Sequence, residues 1–360
     1  MSTSFDLTRS TAPASDATRR EILASPGFGK FFTDHMAIAR WSVKDDWYDR
    51  AVQPLKPFSM HPSAAVLHYA QEIFEGLKAY RHADGSIWLF RPELNAARFA
   101  RSAQRLAMPV LPETDFIASI EALVRADQAW VPTATGEESL YLRPFMFASE
   151  AFLGVRPAQE YIYSVIASPA GSYFASGVSG ISLWMSTTYT RAAVGGTGAA
   201  KCGGNYAGTL VAQLEAQQHG CEQVLYLDQA GENLEESGTM NLCVVTADGQ
   251  LRTPSLGTIL EGVTRASVLE VGAKYGLRPV EEPITMAQLR DGCANGSITE
   301  VFASGTAAVV TPIVKFIGAH EQFTVGDGAP GAVTIAIRGH VLDLQFGRIS
   351  DPNGWLRRVL

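Results

Sequence analysis

Strand-type and helix-type segments alternate on both sides of one stretch rich in glycine and serine, "PAGSYFASGVSG", residues 169–180. Such a composition is typical of a linker, and 360 residues exceed what one hydrophobic core usually serves. The sequence therefore predicts a small N-terminal domain over 1–168, a linker over 169–180 and a larger domain over 181–360. Because both segment types occur in both halves, the predicted class is α+β with mixed sheets.

Three local patterns in the first half carry specific predictions. The spacing of apolar residues in "SAAVLHYAQEIFEGL" predicts a helix over 63–77. Asp84-Gly85 between two apolar runs predicts a β-hairpin, and Pro92 is typical of a first helical position. The first ~20 residues are rich in Ser, Thr, Ala and Asp, so we expect them to be loose.

Composition narrows the classes of partner and location. The net charge is −7 and no long block of Lys and Arg occurs, which argues against nucleic acid and anionic membranes as partners. The cysteines and histidines show no metal-ligand spacing, so no metal site is expected. There is no signal-type N-terminus and no apolar run of the ~18 residues that span a bilayer. We expect a soluble cytoplasmic protein with reduced thiols.

The stretch "GGTGAAKCGGNYAGTL" raises the question of what one lysine does among so many glycines. A phosphate-binding loop needs Gly before the Lys and Ser or Thr after it, whereas Lys201 lies between Ala200 and Cys202. A dinucleotide fingerprint needs a third glycine where Lys201 stands. Both nucleotide interpretations therefore fail.

Lys201 is instead a candidate for a Schiff base with pyridoxal phosphate. That chemistry needs an unprotonated amine, so the pKa must fall from about 10.4 through burial and positive neighbours. The glycines would let backbone approach a flat ring. The alternative is an exposed lysine in a surface loop, which is the commoner situation for a lysine among glycines.

Two kinds of companion favour the cofactor. Tyr206 could donate a hydrogen bond to the ring oxygen of the cofactor. In "ENLEESGTMNL", a carboxylate could face the pyridine nitrogen, and the residues alone leave Glu235 and Glu236 both open. Since neighbouring side chains of an extended segment point to opposite faces, only one of the two can serve.

A phosphate site is predicted where "LEGVTR" enters a helix. The backbone amides of Val263 and Thr264 and the hydroxyl of Thr306 in "ASGTAAV" could hold a dianion. An arginine would complete the site, and the chain offers several.

These stretches together resemble one family, the branched-chain amino acid aminotransferases of the fold-type IV pyridoxal phosphate enzymes. The resemblance covers nearly the whole chain from Phe28 onward, with its motifs in the family's order. They are "LHYAQEIFEGLKAY", "LFRPELNAARFARSAQRLAMP", "SLYLRPFMFA", "AGSYF", "RAAVGGTGAAKCGGNYAGT", "EESGTMN", "LEGVTR" and "EVFASGTAA". It implies the two-domain fold of D-amino acid aminotransferase-like enzymes.

The resemblance also implies roles for particular residues. Lys201 would bind the cofactor and shuttle the proton, with Glu236 selected over Glu235 as the partner of the pyridine nitrogen and Tyr206 bonded to the ring oxygen. The phosphate would be held by Arg98, Val263, Thr264 and Thr306. The substrate side chain would meet Phe28, Tyr69, Phe74, Tyr141 and Tyr173, and the carboxylates would meet Thr239, Ala307 and Arg143.

The implied reaction transfers the amino group of L-leucine, L-isoleucine or L-valine to 2-oxoglutarate in a homodimer. The sequence leaves three alternatives: a D-amino acid transaminase, an aminodeoxychorismate lyase, and a non-catalytic phosphate-binding module. The segments "EGLKAY", "YLRP" and "GTMN" favour the branched-chain L-specific enzymes, and the presence of Lys201 and Glu236 argues against a non-catalytic module. Cys202 beside the lysine is interpreted as a packing residue.

Overall fold

The computed structural model describes residues 4–133, 136–172 and 178–360, and the chain divides into two compact units. The first unit contains Met1–Tyr173, Ala200–Gly203 and Leu344–Leu360, and the second contains Phe174–Ala199 and Gly204–Asp343. The division therefore differs from the predicted continuous domain over 181–360, because two later segments of the chain pack with the first unit.

Hydrogen bonds explain why these two segments belong to the first unit. The backbone N–H of Lys201 donates to Ser102 Oγ at 2.9 Å, and the N–H of Phe74 donates to the Lys201 carbonyl at 2.9 Å. Near the C-terminus, residues Leu356–Arg358 form a strand that pairs with Ile87–Phe90. Neither contact leaves a signal in the local sequence.

The elements of the first unit precede those of the second along the chain, apart from the last strand. The helices, in chain order, are α1 (Asp16–Ala24), α2 (Ala65–Tyr69), α3 (Pro92–Arg105), α4 (Glu113–Ala126), α5 (Gly203–Ala207), α6 (Leu210–Gln218), α7 (Val263–Gly272), α8 (Met286–Asn295) and α9 (Ala332–Gln345). The strands are β1 (Asp6–Leu7), β2 (His35–Ser42), β3 (Asp46–Pro54), β4 (Glu72–Phe74), β5 (Leu77–Arg81), β6 (Ile87–Phe90), β7 (Ser139–Ala148), β8 (Glu160–Ala170), β9 (Ile181–Met185), β10 (Gln223–Leu227), β11 (Leu234–Ser237), β12 (Met240–Thr246), β13 (Gln250–Thr253), β14 (Arg278–Glu281), β15 (Ile298–Gly305), β16 (Val309–Ile317), β17 (Gln322–Thr324) and β18 (Leu356–Arg358).

The sheet of the first unit has the order β1-β3-β2-β8-β7-β5-β6-β18, with β4 paired to β7. It is antiparallel except for the pairing of β1 with β3. Helices α3 and α4 cover it, and the rings of Phe99 and Phe116 meet between the two helices at 5.3 Å. Besides its apolar residues, helix α3 buries three polar side chains, those of Asn95, Arg98 and Ser102. These polar side chains require partners, which the functional site supplies.

The sheet of the second unit has the order β11-β10-β9-β16-β15-β12-β13-β14, and an additional pairing of β11 with β12 closes its first part into a ring. Strand β9 is parallel to β10 and β16, whereas β15 is antiparallel to both of its neighbours, β12 and β16. The prediction of an α+β class with mixed sheets is confirmed.

Several local predictions can be compared with these elements. The hairpin at Asp84-Gly85 joins β5 and β6, with Gly85 at φ 85°, and α3 begins at Pro92, so both predictions are confirmed. The helix predicted over 63–77 is wrong beyond Tyr69, because Ala70 is left-handed at φ 49° and the chain then pairs as β4 with β7. An apolar spacing that fits a helix also fits a short buried strand.

The region that was expected to be loose contains some local structure among its described residues. Helix α1 begins after Ser15, whose hydroxyl accepts from the N–H of Thr18, and the N–H of Ala14 donates to Asp34. Among the described residues, none of the helices combines the length and the apolar character needed to cross a membrane. In the same part of the chain, no cluster of three or more His, Cys, Asp or Glu could hold a metal ion.

Candidate active site

Lys201 lies in the first unit on a backbone segment that is fixed on both sides. Besides the bonds to Ser102 and Phe74, the N–H of Gly203 donates to the carboxylate of Glu72. A Cβ on Gly203 would overlap that carboxylate, so the glycine is needed for the approach. The lysine is half-buried, and its segment is part of the packed first unit rather than a surface loop.

The surroundings of the Lys201 amine disfavour its charged form. Burial lowers its pKa to about 8, and the guanidinium groups of Arg98 and Arg143 act in the same direction, while Glu75 and Tyr141 oppose them. A pKa of about 8 leaves about a tenth of the amine unprotonated at pH 7, whereas the usual value of about 10.4 would leave less than about one part in a thousand. The structure therefore meets the requirement that the sequence analysis set for a nucleophilic lysine.

Arg98 of α3 forms a buried, bidentate ion pair beside this amine. Its Nε donates to Glu75 Oε1 at 2.7 Å and its Nη2 donates to Glu75 Oε2 at 2.8 Å. Asn95, one turn earlier on α3, donates to Glu75 Oε2 at 2.8 Å. Glu75 has no exposed surface, and Arg98 keeps the pKa of this carboxyl below its usual value despite the burial.

Aromatic side chains and one cation surround the same region. The Arg143 guanidinium lies 4.8 Å from the Phe74 ring and donates through Nη2 to Tyr141 Oη at 3.1 Å. Phe28 meets the Tyr141 ring edge-on at 5.0 Å, and the Lys201 Nζ lies 5.0 Å from the Phe74 ring centre. The structure thus brings Phe28, Phe74, Tyr141 and Arg143 of the predicted set together around the lysine.

One residue of the predicted substrate set, Tyr69, does not join this group. Tyr69 ends α2, is 40% exposed and donates its hydroxyl to the Leu153 carbonyl. No contact with the lysine cluster is recorded for it within the described part of the chain. Tyr173 lies outside the described residues.

In the second unit, Glu236 is fixed by two donors. The residue is 1% exposed, its carboxylate forms an ion pair with Arg191, and Oε1 accepts from Asn241 Nδ2 at 3.0 Å. Glu235, whose side chain alternates with it on β11, accepts instead from the Thr258 hydroxyl. Burial raises the pKa of Glu235, whereas Glu236 has a cation as its partner and so keeps its charge at lower cost.

Arg191 is itself held by backbone carbonyls. Its Nη1 donates to the carbonyls of Gly198 at 3.3 Å and Thr258 at 3.1 Å. A Cβ on Gly198 would overlap the Thr258 carbonyl, which explains one of the glycines before the lysine. The glycine-rich stretch therefore allows the backbone at Gly198 to approach the backbone at Thr258, with the Arg191 guanidinium bonded to both.

The remaining predicted residues of the second unit lie at one end of its sheet. Thr239 is in the turn that connects β11 to β12, and Thr306 and Ala307 are in the turn that connects β15 to β16. Because Asn241 pairs with Ser304, these two turns lie at the same end. The Asn241 side chain also donates to the Leu260 carbonyl at 2.8 Å, just before α7.

Helix α7 therefore begins close to these turns, with Val263 and Thr264 as its first residues and Gly262 as its N-cap. The N-cap contributes no side chain to bond the first amides, which is the arrangement that favours an anion at a helix N-terminus. Tyr206 lies on α5, half-buried, shortly after the lysine.

Glu75, Arg191 and Asn241 are the residues that the sequence analysis did not single out. Each lies within a quoted motif, "LHYAQEIFEGLKAY", "RAAVGGTGAAKCGGNYAGT" or "EESGTMN", but no sequence feature assigned it a role. Cys202, by contrast, was interpreted as a packing residue, and it is 4% exposed in the core of the first unit.

Comparison with known proteins gives concordant matches. The amino-transferase class IV family matches residues 72–316. The branched-chain-amino-acid aminotransferase of Mycolicibacterium smegmatis is 50% identical over 360 residues, covering 99% of this chain and 98% of that one. A crystal structure of the Escherichia coli branched-chain amino acid aminotransferase superposes with a TM-score of 0.74 at 28% identity, covering 91% of this chain and 99% of that chain. The T.th. branched-chain amino acid aminotransferase complexed with N-(5'-phosphopyridoxyl)-L-glutamate gives a TM-score of 0.72 at 29% identity, with 90% and 99% covered.

Proposed function

Since this chain belongs to the branched-chain-amino-acid aminotransferases within amino-transferase class IV, we propose that its Lys201 carries pyridoxal phosphate and serves the transfer of the amino group from L-leucine, L-isoleucine or L-valine to 2-oxoglutarate. The observation that carries the proposal is the Lys201 amine itself, held on a fixed backbone among two arginines with a pKa of about 8. Such an amine is a nucleophile at neutral pH.

The residues present fit this cofactor, which family membership implies. A buried amine with a lowered pKa suits the aldehyde, a carboxylate paired with a cation suits the pyridine nitrogen, and an uncapped helix N-terminus suits the phosphate. When bound, pyridoxal phosphate supplies an electron sink for the charge that develops at the substrate Cα and a store for the amino group.

Lys201 has two tasks in this proposal. Its Nζ would hold the cofactor, and when free it would take the proton from the substrate Cα and later return one. A base with a pKa of about 8 can both accept and release a proton near neutral pH. The bonds to Ser102 and Phe74 fix the backbone from which Nζ reaches, which limits the geometries it samples.

Glu236 is proposed as the partner of the pyridine nitrogen. Its ion pair with Arg191 and its bond from Asn241 hold the carboxylate in its charged form and in one orientation. A charged carboxylate at that position would keep a proton on the ring nitrogen, and Tyr206 is proposed to donate to the ring oxygen. Glu235 is not assigned this role, because burial disfavours its ionised form.

The phosphate is assigned to the N-terminus of α7 and to Arg98. The amides of Val263 and Thr264 and the hydroxyl of Thr306 would donate to its oxygens. Arg98 already donates through Nε and Nη2 to Glu75. In this proposal Glu75 orients the guanidinium, and the positive charge of Arg98 attracts the phosphate dianion.

The aromatic residues around Arg143 suit an apolar side chain beside a carboxylate. Phe28, Phe74 and Tyr141 offer surface that a branched aliphatic chain can bury, at about 25 cal/mol per Å². Arg143 offers a cation for the second carboxylate of glutamate. Thr239 and Ala307 are proposed to receive the α-carboxylate. Tyr173 is assigned to the side-chain pocket on the family resemblance alone.

A homodimer is also part of the proposal. Tyr69 bonds the Leu153 carbonyl, and Leu153 and Val155 are 63% and 89% exposed. Contiguous apolar surface marks sites that meet a partner, and in this proposal these residues belong to such a surface, with a second copy whose pocket they help to form as the partner. The cytoplasmic location stays a prediction.

The test is a half-reaction followed by absorption. The full-length enzyme loaded with pyridoxal phosphate should lose its visible band on addition of L-leucine and regain it with 2-oxoglutarate. Lys201→Ala is the control and should show neither change. Loss of the band with D-alanine but not with L-leucine would instead favour a D-amino acid transaminase, and release of pyruvate from aminodeoxychorismate would favour the lyase.

A further inference from the structure

Glu75 has no role in the proposed chemistry, yet it has the most restricted surroundings of any carboxylate near Lys201. It lies between β4 and β5 with no exposed surface, and its two oxygens receive the Nε and Nη2 of Arg98 at 2.7 and 2.8 Å. Asn95 adds a third donor at 2.8 Å, and the N–H of Gly76 adds a fourth at 3.1 Å. A carboxylate so fully bonded has one orientation.

The charges of the Arg98–Glu75 ion pair act on the Lys201 amine. Among the described residues, the charged and titratable groups that act on the Lys201 amine include Arg98 from α3, Glu75 from the β4–β5 connection, and Tyr141 and Arg143 from β7. Without Glu75, the amine would lie among two cations and no anion from this set. Since buried charges interact strongly, an uncompensated Arg98 would disfavour a protonated Lys201 still further.

We propose that Glu75 is a positioning residue that fixes the Arg98 guanidinium and balances its charge against the Lys201 amine. This inference deepens the proposed function and rests on it, because it assigns Lys201 as the reacting amine. Glu75 does not touch the substrate in this account. It acts by holding Arg98 in one place and by keeping enough positive character at Nζ for the amine to recover its proton in each cycle.

The experiment measures the protonation of Lys201 directly, in the full-length chain without added cofactor. Competitive labelling with acetic anhydride from pH 6 to pH 11, read by mass spectrometry of the Lys201 peptide against exposed Lys44, gives the midpoint of amine reactivity. We expect the Glu75→Gln midpoint to lie about one pH unit below that of the unaltered chain, since a neighbouring charge shifts a pKa by about 1 to 3 units.

A second variant gives an opposite sign. Arg98 and Glu75 shift the pKa of Lys201 in opposite directions, so adding Arg98→Gln to Glu75→Gln should bring the midpoint back above that of Glu75→Gln alone. Asp115→Asn is the matched control, because Asp115 is 1% exposed and pairs with Arg50 at 2.7 Å in the same unit. It should leave the midpoint unchanged.

A Glu75→Gln midpoint within about 0.3 units of the unaltered value would overturn the inference, as would a double variant whose midpoint is no higher than that of Glu75→Gln alone. If Glu75→Gln alone does not fold, the comparison is made in the Arg98→Gln background, where adding Glu75→Gln should lower the midpoint and an unchanged midpoint would overturn the inference. Because acylation needs no cofactor, a failure of this inference is distinct from a failure of the transaminase proposal, which the absorption test addresses.

Discussion

At Gly76, beside Tyr141, the structure makes a sharp demand on residue type. A Cβ built there would lie 2.9 Å from Tyr141 Cζ and closer still to its hydroxyl oxygen. Ordinary van der Waals contact begins at 3.4 Å. Gly76→Ala therefore requires Tyr141 to move by more than about 0.5 Å, the displacement that clears Cζ, because its hydroxyl oxygen lies closer still. Overpacking of this kind costs about 1 to 3 kcal/mol.

Thermal unfolding and steady-state kinetics test this expectation together. We expect the melting temperature of Gly76→Ala to fall by about 2 to 4 °C per kcal/mol lost, and KM for L-leucine to rise because Tyr141 is part of the proposed pocket. Adding Tyr141→Phe should restore part of the stability, because it removes the overlap with the hydroxyl. The recovery should be incomplete, because the 2.9 Å overlap with Cζ stays.

Gly339→Ala is the matched control for this substitution. Gly339 lies inside α9 with nothing within 4 Å of its Cβ position, so alanine there should be neutral or stabilising by up to about 1 kcal/mol. A Gly76→Ala enzyme with unchanged melting temperature and KM would refute the reasoning. So would a double variant that is no more stable than Gly76→Ala alone.

Three further predictions follow from the charges of the site. Lys201→Met should raise the free energy of unfolding of the cofactor-free protein at pH 7 by up to about 3 kcal/mol. Between about pH 8 and 10.4 the Lys201 amine is protonated in the unfolded chain but not in the folded one, so the gain should vanish above that range. Equal gains in urea titrations at pH 7 and 10.5 would contradict this prediction. Arg191→Gln should lower kcat about ten- to a hundredfold at nearly constant KM, because a charge-assisted bond of about 1.5 to 3 kcal/mol to Glu236 is weakened; a normal kcat would remove Arg191 from the account. Arg143→Gln should raise KM for glutamate at least about tenfold more than KM for leucine, and equal changes for both substrates would argue against a carboxylate contact.

The parts of the fold that the sequence predicted are those specified by local chemistry. Asp84-Gly85 specifies a hairpin because Gly85 adopts a positive φ, and Pro92 starts α3 because it needs no donor there. The region 63–77 was not predicted correctly, since pairing of β4 with β7, far along the chain, decided its structure. The transfer of Ala200–Gly203 to the first unit depends on a bond between Lys201 and Ser102, which are 99 residues apart.

The candidate site shows the same limit. Lys201 could be proposed from its glycines and its companions, because a reactive amine must be reached by a flat ring. Glu75 and Arg191 could not, because their roles come from partners on other elements, Arg98 on α3 and Glu236 on β11. Because side chains alternate along an extended segment, the sequence predicted that only one of Glu235 and Glu236 could face the cofactor. Only the position of Arg191 shows which of the two is paired with a cation.

The central claim is that the amine of Lys201 is the group that holds the cofactor. Borohydride reduction of the full-length enzyme loaded with pyridoxal phosphate, followed by digestion and mass spectrometry, tests it most directly. We expect the reduced phosphopyridoxyl group on Lys201 alone, and no such group when L-leucine is added before the reductant. A group fixed to another lysine, or none at all in an enzyme that is still active, would contradict the account.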